Sequence, residues 1–248
     1  MELTVLGSSA SFPGPGRACA GYLLSAGSAH VAVDLGNGTL ANLSIATDPY
    51  ALDAVFISHL HPDHFLDLFA LMAMLRYAPE GTKRPIRLLA PDGLRRRMGA
   101  LMSPHGRKDL AEAFVWETIR DGEPVQVESL TLTPHAVEHE RPTFALRAVA
   151  DGRSLCYTSD TRLSDPVRSA ASGCDLLLAE ATLPEAYSGL APHMTPAEAG
   201  RLATEAGAST LVLTHLWPTV PRGEILDGAK ATFDGRVVLA EELARIEV

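Results

Sequence analysis

Ala54-Val55-Phe56-Ile57-Ser58-His59-Leu60-His61-Pro62-Asp63-His64 places four ligand-type side chains directly behind a short apolar run. The run reads as a buried strand, and residues 59 to 64 read as a loop between that strand and a helix. With 9 histidines and 30 acidic residues in the chain, an H-x-H-x-[DE]-H arrangement arises by chance in roughly one such chain per thousand. Imidazole and carboxylate without thiolate suit zinc, and the same donors accept manganese or iron. Pro62 is expected to stiffen the loop by fixing its own φ.

On the N-terminal side, residues 1 to 58 alternate β-like runs (3–6, 21–24, 31–33, 54–58) with Gly, Pro, Asn and Asp clusters, which predicts sheet interrupted by tight loops. On the C-terminal side, Leu68, Leu71, Met72 and Leu75 recur at helical spacing until Pro79 ends the pattern. A strand at 86–90 then leads to a helix whose run Arg95, Arg96, Arg97 reads as a solvated face rather than a phosphate patch. Further strands are expected at 130–139, 143–149, 154–158, 175–179, 209–214 and 236–239, with helices from about 165 and over 196–205. Thr195-Pro196-Ala197-Glu198 is a capping box with proline in the first turn, so His193 lies just outside a helix.

Ligands in open α/β sheets collect outside the carboxyl ends of strands. Asp160 follows one predicted strand, Glu180 another, His215 a third, and His139 ends a fourth. That single rule gathers them with His59, His61, Asp63 and His64 at one edge. His135 competes with His139, because residues four apart on a strand share a face. His30 and His105 lack the placement.

A chain of 248 residues, 46% hydrophobic and 21% charged, has room for fewer than two average domains, and one α/β domain over 1–248 is the simplest account. Its net charge of −9 argues against a large nucleic-acid surface, which would be basic. Cys19, Cys156 and Cys174 form no CxxC pair, so a reducing cytoplasm fits better than a disulfide framework. The start Met-Glu-Leu-Thr-Val-Leu-Gly carries no basic n-region and no stretch approaches about 18 apolar residues, so neither export nor membrane insertion is expected.

In H-x-H-x-D-H (His59, His61, Asp63, His64), His139, Ser-Asp-Thr-Arg around Asp160, Ala-Glu-Ala-Thr around Glu180, His-Met-Thr-Pro from His193 and Leu-Thr-His-Leu around His215, the chain resembles the metallo-β-lactamase superfamily. Within it, the chain is most similar to the ribonuclease Z-like phosphodiesterase branch. The resemblance implies a four-layer αβ/βα sandwich with two Zn²⁺ per chain (or Mn²⁺ or Fe²⁺), His59, His61 and His139 holding one, Asp63, His64 and His215 the other, and Asp160 bridging. It also implies a bridging hydroxide as nucleophile, with His193 assisting the leaving oxygen and Glu180 orienting His193. Two such ions, the two aspartates and a hydroxide leave the site about +1, a match for a phosphodiester monoanion. Family members often pair, which implies a homodimer.

The tRNA-processing relatives carry a long basic arm between the positions matching His139 and Asp160. Only 21 positions separate those residues here. The resemblance therefore favours a small phosphodiester, a cyclic nucleotide above all, over a large nucleic acid. The alternatives are a tRNA 3′-end endonuclease and a non-catalytic metal-binding accessory module on the same fold.

Overall fold

The computed structural model describes residues 1–79 and 84–248. One sheet contains β1 (Glu2–Gly7), β2 (Gly21–Ala26), β3 (Ala29–Leu35), β4 (Ala54–Phe56), β5 (Ile86–Ala90), β6 (Phe114–Thr118) and, from the far end of the chain, β14 (Arg245–Glu247). Its order is β14-β1-β2-β3-β4-β5-β6. The other contains β7 (Val125–Val127), β8 (Leu130–Val137), β9 (Thr143–Ala150), β10 (Arg153–Tyr157), β11 (Leu176–Glu180), β12 (Thr210–Thr214) and β13 (Arg236–Leu239), ordered β13-β12-β11-β10-β9-β8-β7.

Three apolar clusters define the layers. Leu3, Tyr22, Val33 and Phe56 of the first sheet pack against Leu130, Leu146, Leu155 and Val212 of the second, which makes the central interface. The outer face of the first sheet is covered by α1 (Thr39–Ala46), α3 (Asp67–Tyr77), α4 (Leu94–Ala100) and α5 (Pro104–Ala113) through Leu43, Leu71, Met98 and Leu110. Opposite, α6 (Asp165–Ala171), α7 (Pro196–Ala206) and α8 (Arg222–Lys230) cover the second sheet through Val167, Leu202 and Ile225. The order helix, sheet, sheet, helix is the expected αβ/βα sandwich. Strands covered on both faces read as continuous apolar runs, which is why β4, β11 and β12 were legible as strands.

Pairing directions explain why one edge collects the polar residues. β3, β4 and β5 run parallel, as do β10, β11 and β12. β8 is antiparallel to β9 and β9 to β10, so β8 ends on the same side as β10. Every segment expected to carry a ligand therefore leaves its sheet at a carboxyl end. The two sheets are tied there by Phe144 N–H donating to Ser58 O at 3.1 Å.

Several local expectations need correction. Residues 62–65 are not loop: α2 (Pro62–Phe65) is a short helix with Pro62 in its first turn, where its missing N–H costs nothing, so the proline starts a helix rather than stiffening a loop. Helices α1, α5 and α8 and strands β6, β7 and β14 were not anticipated. α1 buries only Thr39 and Leu43, too few positions to register as a period. The strand over 130–139 stops at Val137, which leaves His139 free of the ladder. Of the arginine run, Arg97 donates to Leu60 O at 2.6 Å and Arg95 lies 5.8 Å from the Trp116 ring centroid.

Candidate metal centre

Hydrogen bonds fix which ring nitrogen each histidine offers. Asp34, fully buried at the end of β3, accepts the Nδ1–H of His64 at 2.8 Å, since a carboxylate can only accept. It also takes the Ser58 N–H (2.7 Å), the Ser58 hydroxyl (2.8 Å) and the Tyr157 hydroxyl (2.9 Å). With its proton committed to Asp34, Ser58 Oγ must accept from His59 Nδ1–H at 3.1 Å. His139 Nδ1–H donates to Pro192 O at 3.1 Å. Thr182 Oγ lies 2.6 Å from Glu180 Oε2, 3.0 Å from His215 O and 2.8 Å from His215 Nδ1. The short contact to the buried carboxylate wins the hydroxyl proton, so Oγ accepts from His215 Nδ1–H.

Four histidines, His59, His64, His139 and His215, thus turn a bare Nε2 to a common centre, and His61 turns its Nδ1. His61 Nδ1 sits 3.1 Å from His59 Nε2 and 3.2 Å from His139 Nε2. Nitrogens bound tetrahedrally at 2.0–2.1 Å would stand about 3.3 Å apart, so the spacing is that of ligands around one ion. Asp160 Oδ2 lies 3.6 Å from His59 Nε2 and 3.4 Å from His64 Nε2. Asp63 Oδ2 lies 3.3 Å from His215 Nε2 and 3.8 Å from His64 Nε2. Two ligand sets able to hold a metal result, His59-His61-His139-Asp160 and Asp63-His64-His215, with Asp160 also beside His215 and His193. His64 Nε2 and Asp160 Oδ1 are buried with no hydrogen-bond partner among the described residues, a costly arrangement that a cation would resolve. The donor set therefore fits two divalent ions.

Electrostatics follow from burial and neighbours. Burial, then the neighbouring imidazoles, pull His59 and His61 below the usual histidine range. Burial would lower His64 too, yet the Asp160 and Asp34 carboxylates outweigh it and raise it well above that range. Proton and cation compete for its Nε2. Against burial, the adjacent His215 and His64 rings hold Asp63 below the ordinary carboxylate range and do the same for Asp160.

Glu180 and His193 stand beside this cluster. His193 Nδ1 is 2.9 Å from Glu180 Oε1, and Glu180 is anchored by the Thr161 N–H (2.7 Å), the Met194 N–H (3.2 Å) and Thr182. Burial pulls His193 down, but the Glu180 charge and hydrogen bond prevail and hold it up at about 9. The capping box at Thr195 starts α7 two residues on and fixes the chain there.

All nine expected residues come together at this edge. His135 lies in β8 outside every ligand set found among the described residues, and His30 and His105 pair elsewhere, with Ser25 and Asp109. Sequence reading missed Asp34, Ser58, Tyr157 and Thr182. Asp34, at the carboxyl end of β3, satisfies the same strand-end rule and was findable by it. The backbone is strained around the centre, with Asp34, Ser159 and His215 at φ of 56°, 54° and 53°.

A family model described as the beta-lactamase superfamily domain matches residues 31–216. The uncharacterized protein Rv1339 of Mycobacterium tuberculosis is 37% identical over 244 residues, covering 96% of this chain and 88% of its own. The probable metallo-hydrolase YhfI of Bacillus subtilis is 29% identical over 245 residues, 97% of each chain. Its crystal structure, that of a metallo-beta-lactamase fold protein, superposes with a TM-score of 0.89 at 27% identity over 99% of both chains. Ribonuclease Z of Haloarcula marismortui is 27% identical over 298 aligned positions, 98% of this chain and 95% of its own.

Proposed function

The chain belongs to the beta-lactamase superfamily and has the metallo-β-lactamase fold, and from that premise we propose that it is a metal-dependent phosphodiesterase acting on a small phosphodiester, a cyclic nucleotide above all. The observation that carries this reading is the His193–Glu180 pair at 2.9 Å beside a double ligand set. Metal binding alone has no use for that pair.

His59, His61, His139 and Asp160 would hold one ion, and Asp63, His64 and His215, with Asp160 between the sets, the other. Two such ions supply an activated water at neutral pH and charge stabilisation for in-line displacement at phosphorus. Zinc suits the histidine-rich donors, as would manganese or iron. Glu180 receives the Nδ1–H of His193, so the proton delivered to the leaving ester oxygen is the one on His193 Nε2, and the negative Glu180 supports the imidazolium until that transfer. His193 keeps 19% of its side chain exposed, so substrate can reach it.

A small substrate is supported by the segment between His139 and Asp160. It is occupied by β9, the turn at Asp151-Gly152 and β10, a tight hairpin with no projecting arm. The Haloarcula Ribonuclease Z alignment is longer than this whole chain, so that enzyme carries segments absent here. The name of that relative favours a second reading, cleavage of precursor tRNA. Assaying the purified protein on 3′,5′-cyclic AMP, bis(p-nitrophenyl) phosphate and a precursor tRNA separates the two. We expect turnover of the first two; tRNA cleavage without cyclic-nucleotide turnover would overturn the proposal.

A further inference from the structure

Beside the metal ligands lies a pair of aromatic rings that neither the fold nor the chemistry above requires. Ser11 occupies a tight turn at φ 59°, with Phe12 N–H donating back to Ala10 O at 2.6 Å, and its own N–H donates to Asp63 Oδ2 at 2.8 Å. The same loop is pinned to the segment after His215. Ala10 N–H donates to Leu216 O (3.0 Å) and Leu216 N–H to Ser8 O (2.8 Å). Phe12 and Trp217 are therefore each held one or two residues from a candidate metal ligand or its hydrogen-bond donor. Their ring centroids are 5.5 Å apart at 65°, an edge-to-face contact that braces the pair, yet Phe12 remains 43% exposed.

A phenyl ring fixed in a strained turn and left open to water forfeits burial that a polar residue would not miss. It follows Ser11, whose N–H holds Asp63, so the part of the substrate that continues away from the phosphorus would cover it. In a nucleotide that part is a flat aromatic base joined through the ribose, and bases stack on aromatic side chains with little regard to their identity. Resting on the phosphodiesterase reading, we propose that Phe12, braced by Trp217, is the stacking platform for the base, which makes the substrate a nucleoside phosphodiester rather than a glycerol or sugar ester. A ring offers no hydrogen-bond code, so this contact favours purines over pyrimidines by area and discriminates weakly between adenine and guanine.

The test uses the zinc-loaded protein, Phe12→Ala and the conservative Phe12→Trp. Affinity for 5′-AMP and for ribose 5-phosphate is measured by calorimetry. Turnover is measured on 3′,5′-cyclic AMP and on the abasic ribose 3′,5′-cyclic phosphate. Loss of one base stack weakens 5′-AMP about 5- to 150-fold in Phe12→Ala, leaves ribose 5-phosphate within about twofold, and is restored by Phe12→Trp. Equal weakening of both ligands, or none for 5′-AMP, would overturn the platform. If the wild type turns over neither cyclic compound while 5′-AMP binding still depends on Phe12, the phosphodiesterase reading fails and the platform stands. If both are turned over and Phe12→Ala affects them alike, the platform fails and the reading stands.

Discussion

At the scale of single residues, the hydroxyl of Thr182 joins two functions that look separate. It accepts from His215 and donates to Glu180, which in turn orients His193, so one side chain sets the ring orientation of a candidate metal ligand and of the proposed general acid. Thr182→Val keeps the shape and loses the hydroxyl. It is expected to lower metal affinity about 10- to 100-fold, measured by chelator competition, with Thr182→Ser restoring most of it. Asp160→Ala should leave neither ion at full occupancy in elemental analysis. His193→Ala should keep both ions and lose about 100- to 10,000-fold in rate on cyclic AMP, but far less on p-nitrophenyl esters, whose leaving group needs no proton. Full metal after Asp160→Ala would refute its place between the two sets. The candidate ligands themselves were readable because His and Asp at strand ends are scarce. Thr182 and Ser58 were not, since threonine and serine are common and only neighbours distant in sequence reveal what they hold.

At the scale of elements, the join between α6 and β11 shows how a single carboxylate sets a register. Asp175 Oδ2 accepts the Ser154 N–H at 2.8 Å and its hydroxyl at 3.1 Å, and Oδ1 pairs with Arg153 at 2.8 Å, which ties the start of β11 to β10. The backbone hydrogen bond from Ser154, chiefly, holds this carboxyl below its ordinary range. Because the folded value is the lower one, the stabilisation is present above the unfolded value near 4 and is lost as pH falls through the folded value. Asp175→Asn should therefore cost about 1 kcal/mol in urea unfolding at pH 7, a figure reduced for partial exposure, and progressively less as the pH drops below 4. The parallel strands were legible because burial on both faces makes their runs continuously apolar. α1 was not, as it begins behind Gly38 at φ 93° with no side-chain cap and a single buried leucine.

At the scale of the whole molecule, the two sheets meet each other beside the candidate centre through a seam of buried polar groups. Tyr22 OH lies 2.7 Å from Thr214 Oγ, and the Tyr22 and Tyr157 rings pack 5.0 Å apart beneath Asp34. Cations held by the His and Asp sets beside this seam would bind the folded chain and not the unfolded one. At a thousandfold excess over Kd they add about 4 kcal/mol, which for a chain of this size is roughly 10 °C in Tm. A chelator should therefore lower Tm by about that amount in a thermal melt, and an unchanged Tm would argue against structural coupling of the centre. Among the described residues no helix is long and apolar enough to cross a membrane. By itself the sequence determined the types of the candidate ligands, their order and the strands they follow, because composition and periodicity are local and survive without coordinates. Only the tertiary structure decided which ring nitrogen each histidine presents, that Asp34 and Thr182 stand behind them, and that Phe12 packs against Trp217 while staying open to water. Those facts depend on side chains far apart in the chain, Asp34 and Tyr157 by 123 positions for example, brought together by strand direction and sheet packing that no local pattern encodes.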